Sequence, residues 1–305
     1  MQSFLLSLIH GLDYLFLCLL VGDLVFTTWI LPAGDSTARL TIRAPQNRKL
    51  KVYFSLLFTT SLLWLVCMSG EMTESWEIGS LVLTLLHTQF GHLWLLRILV
   101  LIAISAAYKI NSLQTALTLA LSLPIFSSLT GHAGTQASNR IFSVTLDFAH
   151  FLSVAIWSGG LLSLWFWLRK SLGQTLSRAT PYKVVKRFSH FAMASTAVIA
   201  ATGLIMAFRY GVIFTSPWAT NYGLLLLIKT GLFSLSLLAA SVNQFVHLYK
   251  WDPTRRQDFV KGVFRGVTLE LFLVTSVLMV AGFLTRSPTP EDQKVEQVSE
   301  SEISQ

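Results

Sequence analysis

Two pairs of residues have the chemistry and spacing to hold a metal: His10 with Asp13, and Asp147 with His150. The partners are three positions apart in each pair, which puts both side chains on one face of a helix. A neutral imidazole offers one lone pair that binds copper, zinc or haem iron. Its other nitrogen takes an acceptor that fixes the tautomer. Each pair therefore supplies a ligand with its orienting group, two joint ligands, or a satisfied packing contact between helices. His92 and His132 are further candidate metal ligands, followed by His87, Met206 and Met279. A thioether favours Cu(I), and it fills apolar gaps equally well. Cys18 and Cys67 form no CxxC, so neither a disulfide framework nor a thiolate metal motif is expected.

The elements that must position these groups are apolar. Hydrophobic residues make up 53% of the 305, and charged residues 12%, where a soluble domain carries about 25% charged residues. Apolar runs fall at 4–31, 52–70, 91–108, 113–130, 143–168, 190–209, 223–248 and 264–285. A helix needs about 20 such residues to cross the hydrocarbon. The first run has no preceding Lys or Arg and contains Asp13 and Asp23, so it is expected to be a retained span rather than a signal peptide. The chain is predicted to be all-α, a polytopic bundle of eight transmembrane helices. One domain is expected over 1–288, followed by an acidic tail at 289–305 that is expected to be disordered and periplasmic.

Charge sets the direction of each span. Basic residues concentrate after runs one, three, five and seven, as in Arg43, Arg48 and Lys49 or in Lys183, Lys186 and Arg187. The segment after run two carries Glu71, Glu74 and Glu77 instead. By the positive-inside rule the basic loops are cytoplasmic and both termini periplasmic. The net charge of +8 thus reports topology rather than a nucleic-acid partner; lipids are the expected surroundings. His10, His87, His92, His132 and His150 then fall toward the outer side, and His190 and His247 toward the inner.

Charged groups inside a membrane are expensive and usually functional. Arg97 is placed to pair with an aspartate of run one or run five, or to snorkel outward, and Lys229 resembles it. Glu270 lies near the depth of Asn243 and His247. It suits an exit site, a proton relay or a plain interhelical hydrogen bond. Gly159 and Gly160 let a neighbouring backbone approach closely. There is no HExxH, GxSxG or CxxCH motif and no phosphate loop, so the chain is not expected to be an enzyme.

The ordered set Thr130-Gly131-His132-Ala133-Gly134, Asp147, His150, Trp157, Ser158-Gly159-Gly160, Arg187-Phe188-Ser189, Tyr222-Gly223, Lys229, Asn243, Glu270 and Leu284-Thr285-Arg286 resembles the copper resistance protein D family of bacterial inner-membrane proteins. The resemblance covers a core of 130–288, and His10, Gly22 and Phe90-Gly91 with Leu96-Arg97 extend it into the first half. It implies copper, as Cu(I) or Cu(II), moved between periplasm and cytoplasm in homeostasis or resistance. It also implies a periplasmic copper-binding partner resembling copper resistance protein C, and it puts His132, Asp147 and His150 on the family's most recognisable polar positions. Two other readings remain open: a redox protein holding haem b between membrane histidines, and a copper chaperone or sensor that does not transport.

Overall fold

The computed structural model describes residues 2–31, 36–131, 139–172, 180–209, 220–248 and 252–284. Helix α1 (Gln2–Val25) runs on into a π-helical turn, Phe26–Ile30. It is followed by α2 (Ser36–Thr73), the short α3 (Ile78–His87), α4 (Gln89–Lys109) and α5 (Leu113–Thr130). The second half comprises α6 (Arg140–Ser171), α7 (Thr180–Arg209), α8 (Asn221–Asn243) with a π-turn at Gln244–Leu248, and α9 (Arg256–Leu284). All except α3 are long and apolar enough to cross a membrane, giving eight candidate spans. The tail at 289–305 lies outside the described residues.

Helix boundaries depart most from the apolar runs at α2, α3, α7 and α9. α3 occupies part of the acidic segment after run two; its ten residues are too few to span. Helices α2, α7 and α9 begin ahead of their apolar runs, so basic residues expected in loops continue helices instead; long basic side chains can reach water from helical backbone. The turn between α4 and α5 is the tight hairpin that the sequence indicates. Asn111 closes it at φ 62°, a left-handed conformation that asparagine tolerates.

Contacts between helices give their relative directions. Tyr14 meets Phe151, Gly22 meets Gly159, and Asp23 meets Ser163. Both numbers climb together, so α1 and α6 run parallel. His10 meets Trp64 while Asp13 meets Ser61, so α2 runs against α1. By the same test α7 opposes α6, through His150 with Thr202 and Gly160 with Phe188. Helix α9 also opposes α6, through Trp157 with Glu270 and Trp165 with Phe264. These directions are the ones an up-and-down chain of eight spans requires.

Helix α1 sits centrally, against α2, α5, α6 and α9. Gly22 and Gly159 make its approach to α6 possible, because a Cβ on either would overlap the other helix's backbone. In lipid no hydrophobic force drives helices together, so close backbone packing through small residues takes its place. Leu17, Leu20, Leu161 and Leu164 fill the seam around the crossing. Helices α7 and α8 instead show Leu204, Leu235 and Leu238 outward, as lipid-facing surfaces do.

Candidate functional site

Two polar layers lie inside the bundle. The end at which α1 begins is here called upper. Helix α1 carries Asp13 in the upper layer and Asp23 in the lower, ten positions apart and so about 15 Å along the axis.

Asp13 is 1% exposed. Its Oδ2 accepts from Arg97 of α4 at 2.7 Å, and its Oδ1 accepts from Ser61 at 2.7 Å and Thr60 at 3.3 Å on α2. Trp94, a turn before Arg97, donates its indole N–H to the Ser61 carbonyl at 2.9 Å. Of the aspartates of runs one and five open to Arg97 in the sequence, the structure selects Asp13 on α1. Asp13 thereby ties three helices together, with its oxygens occupied by protein donors.

His10 lies one turn above Asp13. Its ring centroid is 4.2 Å from that of Tyr14 and 4.0 Å from that of Trp64. Tyr14 in turn packs on Phe151 of α6, with centroids 4.7 Å apart. His150 precedes Phe151 on that helix, so the parallel α1–α6 pair brings His10 and His150 to neighbouring heights from different helices.

The protonation of His150 follows from its partner. Thr202 of α7 donates its one hydroxyl proton to the Val198 carbonyl at 2.6 Å. Toward the imidazole it can only accept, so the 2.8 Å contact is a hydrogen bond from Nδ1–H. The lone pair then lies on Nε2, the arrangement a metal-binding imidazole needs. Asp147, a turn above, interacts electrostatically with Lys229 of α8 and with Tyr14 of α1. The upper layer thus gathers His10, Asp13, Arg97, Asp147, His150 and Lys229.

Other candidates lie elsewhere. His92 is exposed and donates from Nε2 to the Leu86 carbonyl at 2.9 Å, fastening the α3–α4 corner. His87 is exposed at the end of α3. Met279 is 57% exposed on α9, and Met206 is half-buried a turn above Thr202. His132 lies outside the described residues. Among the described residues no three His, Cys, Asp or Glu side chains converge as a ready metal cage. Cys18 and Cys67 are free thiols.

In the lower layer Ser163 donates to Asp23 Oδ1 at 2.7 Å, while the buried Oδ2 has no hydrogen-bond partner. Trp157 donates to Glu270 Oε1 at 3.4 Å. Asn243 lies against Gly266, where a Cβ would overlap its amide.

Sequence reasoning did not single out Tyr14, Trp64, Ser61 or Thr202. Threonine and aromatic residues are common in spans, and only a partner across the bundle gives these meaning. One signal was available: Tyr14 adjoins Asp13, and Thr202 adjoins Gly203, whose missing side chain leaves space beside the His150 ring.

Residues 1–141 match the family described as copper resistance protein D-like, N-terminal domain, and residues 182–284 match the family described as copper resistance protein D. The chain is 25% identical over 290 residues to copper transport protein CutJ of Bacillus subtilis (strain 168), an alignment covering 92% of this chain and 52% of that protein. It is 25% identical over 297 residues to copper resistance protein D of Pseudomonas syringae pv. tomato, covering 91% of this chain and 95% of that one. It therefore spans about half the length of the first relative and nearly all of the second. No solved structure matches.

Proposed function

The chain belongs to the copper resistance protein D family, and from that premise we propose that it carries copper across the bacterial inner membrane, between periplasm and cytoplasm. One observation carries the reading. The Thr202 hydroxyl fixes His150 with its proton on Nδ1, so that Nε2 presents its lone pair in the layer where α1 brings His10 to a similar height. Two imidazoles from different helices suit a transient site, tight enough to admit an ion and weak enough to release it.

Copper is the cargo here and undergoes no covalent chemistry, so the activity is not enzymatic. The basic loops favour a periplasmic upper layer, with both termini on that side. Copper would then enter beside His10 and His150, delivered by a periplasmic copper-binding protein that resembles copper resistance protein C. Asp13 and Arg97 hold the layer's shape. The two names among the relatives, copper transport and copper resistance, support the substrate.

Copper flux into proteoliposomes containing the purified protein tests this. Flux above that of empty vesicles, lost in His150→Ala, is the expected result. Copper bound with no flux would make the protein a chaperone or sensor. A stoichiometric Soret band from the purified protein would make His10 and His150 haem ligands and overturn copper as the cargo.

A further inference from the structure

Copper entry uses the upper layer and leaves unexplained a set of buried oxygens between α8 and α9. Glu270 is 4% exposed on α9. One oxygen of its carboxyl receives the long bond from Trp157. Ser236 on α8 is fully buried, and its Oγ has no partner. Ser234 and Ser241 on the same helix donate to the carbonyls of Thr230 and Leu237, four residues back. Ser236 forgoes that usual bond. The buried Oδ1 of Asn243 likewise has no partner.

These groups form a file. Asn243 is level with Gly266. Glu270, four positions further along α9, stands about 6 Å higher, and Ser236, seven positions back along α8, about 10 Å higher. Phe233 packs edge-on against Trp157, with centroids 5.7 Å apart, and closes the file from above. At the lower end α8 passes into its π-turn directly after Asn243. Such turns loosen the backbone ladder and recur at functional sites. Unfilled acceptors at membrane depth cost several kcal/mol each unless water meets them. The donors are all oxygen, with no thioether or imidazole among them, which suits water and protons better than Cu(I).

We infer that Glu270 is a proton-binding site, exchanging with the lower aqueous face through a hydrated seam whose closed upper end is Ser236 and whose lower mouth is Asn243, and that its proton is the ion whose movement drives copper. The coupling rests on the copper-transport reading; the proton site does not. In the step, the carboxyl O–H passes its proton to a seam water and leaves a carboxylate, with Trp157 still donating to the other oxygen. Uptake is the reverse, and nothing is oxidised or reduced.

The charged groups on the surrounding helices stand apart from Glu270. On α8, Lys229 is about 15 Å higher. On α6, His150 is about 10 Å higher and Arg169 about 18 Å lower. On α1, Asp23 is bonded at the height of Ser163, about 9 Å below Trp157. Arg265 on α9 is exposed. His247 belongs to the π-turn, and its side chain lies outside the described residues. Among the described residues no cation is bonded to Glu270.

Infrared difference spectroscopy of the full chain in lipid vesicles reads the proton directly. The wild type should show a protonated-carboxyl carbonyl band that shifts in D2O and varies with pH. Glu270→Gln should lose that band, and Glu270→Asp should retain one at an altered frequency, which separates loss of the proton from loss of the fold. Ser236→Ala combined with Asn243→Leu should slow the D2O shift roughly tenfold, the effect of about one lost water hydrogen bond. A spectrum unchanged in Glu270→Gln, or a band that never exchanges, overturns the proton site. Exchange left unslowed by the double variant overturns the seam. In copper-flux vesicles a pH gradient should change wild-type flux and leave Glu270→Gln flux unaltered; flux through Glu270→Gln that still follows the gradient overturns the coupling. An exchanging band in a protein that moves no copper sinks the transport reading and upholds the proton site.

Discussion

Asp13 and Asp23 are the same residue type on the same helix, both almost wholly buried, and their surroundings differ sharply. Asp13 has three donors on two helices, including a guanidinium. Asp23 has the Ser163 hydroxyl on one oxygen and no partner on the other. Lys49 acts on it electrostatically, and its Nζ sits 3.7 Å from the centroid of the Phe166 ring. The upper carboxylate is fastened and structural. The lower one is left partly open, as are Ser236 and Asn243 on α8. The carboxylate beside the histidines is therefore held on both oxygens, and the lower one on a single oxygen.

The largest test of that contrast is Arg97→Ala. It strands a buried carboxylate and should cost about 3–5 kcal/mol, read as thermal unfolding in detergent. Combining Arg97→Met with Asp13→Asn should recover much of the loss, because no unpaired charge remains. A single variant as stable as wild type would erase the distinction between the layers. Next comes Thr202→Val, which removes the group that sets the His150 tautomer and should weaken copper affinity about 10–100-fold, measured by competition with a chromogenic chelator. Stability should change little, and unchanged affinity would remove His150 from the site. Asp23→Asn should then cost no more than about 1 kcal/mol, since one hydroxyl bond is at stake and no bonded cation is lost. A cost equal to that of Asp13→Asn would make the two aspartates alike.

The smallest effect lies outside the spans. Asp252 accepts from the Thr254 hydroxyl at 2.7 Å and from its backbone N–H at 2.8 Å, and these bonds hold its carboxyl below the usual carboxylate range. A carboxyl depressed on folding stabilises the fold above its unfolded pKa, near 3.9, and loses that contribution as pH falls through the lower folded value. The protection of the Thr254 and Arg255 amides, taken relative to the intrinsic exchange rate at the same pH, should therefore fall at acid pH in the wild type, and Asp252→Ala should show the low protection already at neutral pH.

The spans and their alternation were legible because hydropathy and loop charge report depth, and depth rises by a fixed step along each helix. Azimuth was not legible. Helices in a membrane are apolar all round, so no periodic stripe says that α1 faces α6 or that Thr202 faces His150. Arg97 shows the boundary: depth and charge narrowed its partner to an aspartate of run one or run five, and packing alone chose Asp13. The sequence marked Gly159 as a place of close approach, and the structure supplies the partner, Gly22. Helix α3 was hidden because its flanking Glu74 and Glu77 read as a loop and its length falls short of a span.

The Gly22–Gly159 crossing has a mechanical consequence. Two helices whose backbones already touch cannot slide past or tilt against each other without collision. On the proposed transport reading the α1–α6 pair is the fulcrum, and alternate opening of the upper and lower ends comes from a lever on other helices. Helices α7 and α8 fit that part: they lie at the lipid boundary, and a loosened π-turn ends α8. A cross-link between α1 and α6 should leave cycling intact, while one between α7 and α1 should arrest it.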